Sequence, residues 1–261
     1  TLNNGDSAWN ASGSTYVGWQ WKASGTSSSN TSGTITSTVS VNATAGFSVV
    51  TYTGTGANAT VGHGLGVAPK MVIVKCRTGT SSDNWAVWHS SFAGGSSVMY
   101  LNLTNAVSNT ATTMWNSTTP TSTVFSIGTA DTNRAAGYTY VAYCFAAVAG
   151  YSAFGSYTGN GSTDGPFVFT NFQPRWVMIK RTDTAGYHWG IWDTSVNTYN
   201  LEQLSLYADS SGSEINATDL AFDGLSNGFK IRGTSLGINA SGGTYIYACF
   251  ASNPFKLSLA R

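Results

Sequence analysis

Apolar residues along this chain recur at a period of two in short runs, and never sustain the three-to-four spacing of a helix. The clearest run is Tyr245 to Ala251. Tyr245, Tyr247, Cys249 and Ala251 alternate with Ile246, Ala248 and Phe250, so each set takes its own face of a strand. Apolar residues on both faces predict a central strand covered on each side, or one face in a sandwich core and the other at a subunit contact. Tyr140 to Ala146 follows the same order, and Gly137 and Gly242 precede the two runs at the turns leading in. Three more strand pairs are predicted. Met71–Lys75 and Trp176–Lys180 each follow a proline, Pro69 or Pro174, that closes the preceding loop. Trp85–Trp88 pairs with Trp189–Trp192, and Phe125–Ile127 with Phe229–Ile231. Short strands between Gly, Asn and Ser turns, with no crossover helix, predict an all-β chain built from antiparallel, jelly-roll-like β-sandwich units.

The members of each pair stand at nearly the same separation. Tyr52 and Tyr157, Pro69 and Pro174, and Cys144 and Cys249 are 105 positions apart, and Trp85 and Trp189, like Trp88 and Trp192, are 104 apart. A period of that length fits one small domain used twice. The predicted organisation is an N-terminal segment over 1–45, a first sandwich over 46–149 and a second over 150–261. Asn10–Tyr16 nearly repeats Asn239–Tyr245, and Tyr16–Trp21 then follows the pattern of Tyr140–Phe145. This predicts an N-terminal strand, left from a preceding copy, that joins the first sandwich or a neighbouring subunit by strand addition. Ser24–Ala45, rich in Ser, Thr, Gly and Asn, reads as a linker or an extended edge segment.

Composition narrows the function classes. Only 9% of the 261 residues are charged, against roughly 25% in an average soluble domain. The net charge of +1 supplies no basic face, so nucleic acid is not an expected partner. No apolar run approaches the ~20 residues of a membrane helix, so membrane insertion is not expected either. The three cysteines are too few for a disulfide framework, and Cys144 and Cys249, in matched slots, are expected to face their own cores.

Candidate chemistry is thin. His63, His89 and His188 occupy unmatched slots without metal-ligand spacing. Asp83 and Asp183 read as turn residues bonding their own backbone, and Asp193 with Glu202 or Glu214 is the one carboxylate pairing that would suit a glycosidase. Asp209–Glu214 carries oxygen ligands but lacks the alternating spacing of a calcium loop, and reads as a solvated turn. Gly64–Gly66 runs into Pro69 and a strand, so it forms no phosphate cradle. No catalytic residue, cofactor or metal is expected. Trp85, Trp88, Trp189 and Trp192 are the candidate contact residues, packing the cores or a subunit contact, or else stacking on a glycan.

Five strings carry a resemblance: G-F-S-V-V-T-Y-T-G-T-G from Gly46, V-G-H-G-L-G-V-A-P-K-M-V-I-V-K from Val61, Y-V-A-Y-C-F-A from Tyr140, F-G-S-Y-T-G-N-G-S-T-D-G-P-F-V-F-T from Phe154, and Y-I-Y-A-C-F-A-S-N-P-F-K from Tyr245. Together they resemble a β-rich repeat domain of tail-fibre and other virion structural proteins of marine and freshwater bacteriophages, over essentially Tyr16 to Lys256. That family brings no catalytic residues to transfer. The resemblance implies a non-enzymatic virion structural protein, most simply a tail-fibre or appendage segment at the particle surface, serving assembly and host attachment. Its expected partners are further copies of itself in a homo-oligomer (a trimer), other virion proteins and a host surface glycan. The alternatives are a carbohydrate-binding module, a capsid decoration or self-assembling extracellular filament protein, and last a glycan-degrading tailspike.

Overall fold

The period-two pattern resolves into eighteen strands in a computed structural model that describes residues 11–78, 83–197 and 199–252. Residues 1–10 of the predicted N-terminal segment, and 253–261 with the end of the last quoted string, lie outside the described residues. In chain order the first half holds β1 (Ser28–Asn30), β2 (Ser37–Asn42), β3 (Phe47–Thr55), β4 (Ala59–Gly62), β5 (Met71–Cys76), β6 (Ala86–His89), β7 (Met99–Tyr100), β8 (Val124–Ile127) and β9 (Ala136–Phe145). The second holds β10 (Ser152–Thr158), β11 (Phe167–Phe169), β12 (Pro174–Arg181), β13 (Gly190–Asp193), β14 (Leu204–Tyr207), β15 (Ile215–Asn216), β16 (Phe222–Leu225), β17 (Gly228–Ile231) and β18 (Thr244–Ala251). One helical turn, α1 (Leu236–Asn239), precedes β18.

The fold is all-β, with several antiparallel sheets and no barrel. A seven-stranded sheet runs β1-β2-β3-β9-β5-β6-β7, and a six-stranded sheet runs β10-β18-β12-β13-β14-β15. From β3 and from β10 onward the strand order is the same, and so is the register. Phe47 faces Phe145 as Ser152 faces Phe250; Val72 faces Cys144 and Trp88 as Val177 faces Cys249 and Trp192. Each large sheet is backed by a small one, β4-β8 in the first half and β11-β17-β16 in the second.

Strand alternation then builds three cores from two sandwiches. Val50, Val72, Trp88, Phe125, Tyr140 and Cys144 fill the first sandwich; Val177, Trp192, Phe222, Phe229, Tyr245 and Cys249 fill the second. The opposite faces of the two large sheets pack on each other through Phe47, Met71, Phe145, Trp176, Met178, Trp189, Ile246, Ala248 and Phe250. β9 and β18 are therefore central strands covered on both sides. The face expected at a subunit contact is covered within the chain. Main-chain and side-chain bonds seal one side of this junction. Val107 N–H donates to Thr182 O (2.9 Å), Gly186 N–H to Thr104 O (2.9 Å) and Trp189 Nε1–H to Tyr100 O (2.9 Å).

The N-terminal segment departs from its expected form. Tyr16–Trp21 is not a strand. Trp19 and Trp21 turn their indoles onto the junction, where Trp21 meets Phe145, Trp176 and Phe250 edge-on at 6.1, 5.3 and 5.3 Å between ring centres. Burying two indoles there outweighs a backbone ladder, and the carbonyls of Lys22 and Ser24 instead accept from Asn42 Nδ2 (3.0 Å) and Ser40 Oγ (2.8 Å) of β2. Ser24–Ala45 takes the edge-segment form, because β1 and β2 extend the first sheet beyond β3, and Val39 of β2 and Ile35 of the connection before it enter the core.

Candidate functional site

Where the two large sheets meet they leave an apolar cleft of about 380 Å3. Strand periodicity aims its walls, since Met71 and Ile73 of β5 in one sheet face alternate residues of two adjacent strands in the other, Trp176 and Met178 of β12 and Ala248 and Phe250 of β18. Trp19 and Trp21 lie over it, and its half-buried rim includes Val49, Tyr143 and Phe154. Among the described residues no charged side chain lines it. At its edge Asp193 Oδ2 accepts from Trp19 Nε1–H (3.0 Å) and Oδ1 pairs with Arg175 Nε (3.3 Å).

The four candidate tryptophans do not converge. Trp88 is buried in the first core, Trp192 in the second, and Trp189 between the sheets. Only Trp85 is half-buried, stacked on Tyr143 at 6.5 Å. Trp189 takes the core alternative and is also a floor for Lys180, whose ammonium lies 6.0 Å from its ring centre and donates to Asn105 O (3.0 Å) and Arg181 O (3.1 Å). Burial brings that ammonium down to about 8.

The histidines are likewise separate, and two of them tie backbone. His89 Nδ1 accepts from Ser91 N–H (3.1 Å) while Nε2–H donates to Tyr247 O (3.2 Å) of the other sheet. His63 does the same with Leu65 N–H (3.2 Å) and Thr121 O (3.1 Å). Burial lowers both, His89 to about 4, so both rings are neutral at pH 7. His188 stacks on Tyr207 at 4.2 Å, with Nδ1 2.9 Å from Asp209 Oδ2. Among the described residues no group of three His, Cys, Asp or Glu side chains is placed to hold a metal ion.

Among the carboxylates, Asp83 and Asp183 are ion-pair partners, and Asp183 also bonds its own backbone N–H as expected of a turn residue. Asp83 Oδ1 meets Arg134 Nη1 (3.0 Å), and Asp183 is held by Arg181 Nε (2.9 Å), which brings its pKa down to about 2. Asp209 is not a solvated turn residue: its side chain is wholly buried, and Oδ1 accepts from Trp189 N–H (2.9 Å). Glu214 is exposed. Glu202 does come near Asp193. It is 5% exposed, and burial followed by the charges of Asp193 and Asp223 pushes its carboxyl up to about 7. It lies outside the cleft lining.

Sequence reading missed a pair of polar clamps that explain the Tyr-Thr-Gly strings. Tyr52 stacks on Tyr140 at 5.1 Å, and Tyr157 on Tyr245 at 4.9 Å. Beside each pair is a fully buried asparagine. Asn133 Oδ1 accepts from Thr55 N–H (2.7 Å) and Gly56 N–H (3.3 Å); Asn239 Oδ1 accepts from Asn160 N–H (2.9 Å) and Gly161 N–H (3.4 Å). The glycines are required. A Cβ on Gly54 would stand 2.7 Å from Asn133 Oδ1, and Gly56 and Gly161 both turn at φ +72°. The available signal was the near-equal spacing, Asn133 to Asn239 being 106 positions.

A family model described as Domain of unknown function (DUF7483) matches residues 1–254. No curated protein and no solved structure matches the chain.

Proposed function

The chain belongs to the DUF7483 family, and we propose that this member is a non-enzymatic structural protein of a phage particle, a tail-fibre or appendage segment that serves assembly and host attachment. The observation that carries this reading is how the interior polar groups are used. His63, His89, Lys180, Asn133 and Asn239 all bond main-chain atoms, which holds loops and sheets in place. All three cysteines are free thiols buried away from oxidants, so in this reading durability outside cells rests on the packing of the four sheets. In this reading the chain works as a homo-oligomer, a trimer, held against other virion proteins. With the large sheet faces packed inside the chain, contacts between copies fall to β10, a seven-residue uncharged edge strand, and to β11. Light scattering tests this: the expected mass is a multiple of 27.3 kDa, and a monodisperse monomer at micromolar concentration overturns the oligomer. Localising the protein on particles by labelled antibody tests the appendage.

A second reading, a carbohydrate-binding module for host surface glycans, is favoured by one observation. Phe167 (45% exposed) and Phe169 (60%) present rings on the outer face of β11, beside Lys230 in the next strand. Apolar rings flanked by polar groups can stack on sugars and bond their hydroxyls. Glycan-array binding lost on Phe169→Ala supports it; a silent array removes it.

A further inference from the structure

We infer that β10 of one copy pairs with β1 of the next, so that the covering hairpin of each chain also covers its neighbour's second sandwich. The inference rests on the reading of the chain as a trimer and names the contact that builds it. Its first support is the twin edge. In the first half β2 lies along β3 with Thr38 opposite Thr51, and Thr51 matches Ser156 of β10 at a separation of 105 positions. Gly159 N–H donates to Gly243 O and Ala251 N–H to Tyr151 O, so odd residues of β10 bond β18 and even ones turn outward. Ser152 N–H is taken by Val148 O; the N–H groups of Phe154, Ser156 and Thr158 meet no acceptor among the described residues. The strand carries no charge, proline or bulge, the guards that proteins set on such an edge.

The second support is Tyr247. In the first half Val39 of the covering strand stands opposite Val50. The match of Val50 is Gly155, and Tyr247 spreads over it, its Oη 2.7 Å from where a Cβ would stand. The ring, 8% exposed, closes the core, so the edge can stand open before assembly. Its hydroxyl keeps accessible area and has no polar partner among the described residues. A strand laid beyond Gly155 strips that hydroxyl of water and must bring polar groups of its own. β1 meets both demands. Of the four edges of the two large sheets, β7 and β15 are two residues long, which leaves β10 and β1. Two β10 strands would close a two-fold pair, whereas a ring of three joins two different strands. Ser24–Asn30, which holds β1, is uncharged, and every residue except Gly25 carries a hydroxyl or an amide.

The test co-expresses full-length Ser156→Cys with full-length Ser29→Cys and adds a short bis-maleimide. Both positions are exposed, and the three native cysteines are buried, so the introduced thiols are the ones that react. A cross-linked pair of chains is expected from the mixture and from neither variant alone. Ser156→Pro removes one outward N–H and spares the β18 ladder. It should shift the mass to the 27.3 kDa monomer while far-ultraviolet dichroism stays native. Should it fail to fold, the cross-link decides alone. A pair formed by Ser156→Cys by itself sets β10 against β10 and overturns the inference. So does an oligomer that gives no cross-link, or one that survives folded Ser156→Pro; in each case the homo-oligomer still stands. A parent chain that is a monodisperse monomer removes both.

Discussion

In the first half, β2 occupies the outer edge of β3, and Gly33–Ile35 lies along β4, with Ile35 N–H donating to Thr60 O (3.0 Å). In the second half, β10 and β11 have no such neighbour among the described residues. The residues at matched registers follow this difference. Val61 and Val168 face Phe125 and Phe229 in the two small sheets. Around Val61 stand Thr60 and Gly62; around Val168 stand Phe167 and Phe169. A Cβ on Gly62 would stand 2.0 Å from Asn30 Oδ1, so on the covered strand the Asn30 side chain occupies the space above the glycine, whereas the uncovered strand carries exposed rings. The clamps and cores are alike in the two halves while the edges differ. Internal packing is thus shared, and what each half offers to its surroundings is not.

The comparison breaks first at the clamps. Asn133→Ala and Asn239→Ala each remove a fully buried amide together with its four bonds, two accepted from part-buried loop N–H groups and two donated, and should each cost roughly 3–5 kcal/mol in urea unfolding. A loss below about 1 kcal/mol at either site would show that the clamp is not a common determinant. Next comes the edge cover. Ile35→Ala removes a buried side chain from the first core and should cost about 2–4 kcal/mol.

One buried group in each half, His89 and Glu202, should respond to pH in opposite senses. His89 titrates near 4 when folded against 6.5 when unfolded, so its protonation is disfavoured by folding, and stability falls as pH drops from 6.5 through 4. Glu202 titrates near 7 when folded against 4.5 unfolded, so its ionisation is disfavoured, and stability falls as pH rises from 4.5 through 7. Glu202→Gln should therefore add about 2 kcal/mol at pH 8 and nothing at pH 4. A gain that does not vary with pH would remove burial of charge as its cause. Smallest of all, Phe169→Ala on the uncovered strand should change stability by less than about 0.5 kcal/mol.

Much of the fold was legible in the residues. The two-sided alternation of Tyr245–Ala251 announced a strand covered twice, and Cys144 and Cys249 sit in the cores where their matched slots placed them. The partner of the second face was not legible, because an apolar face reads alike whether its cover is another molecule or the same chain. Trp19 and Trp21 misled for a related reason. Their i, i+2 spacing is that of a strand, but its driving force here is indole burial at a junction that exists only after both sheets form. The cleft arises from the same junction, so no local pattern foretold it. Asn133 and Asn239 were hidden among many loop asparagines; only their fully buried positions mark them.

The brace from Trp19 and Trp21 bears on how this molecule can be taken apart. Those indoles precede the first sandwich in sequence and rest on Trp176 and Phe250 of the second. A cut at residue 149 would wet Ile246, Ala248 and Phe250 on one fragment and Phe47, Met71 and Phe145 on the other, and would part the brace from half of its seat. Neither fragment would be a spare part that evolution or an engineer could graft alone. Recombination that keeps the protein working must carry the whole stretch from Trp19 to Ala251 as one cassette.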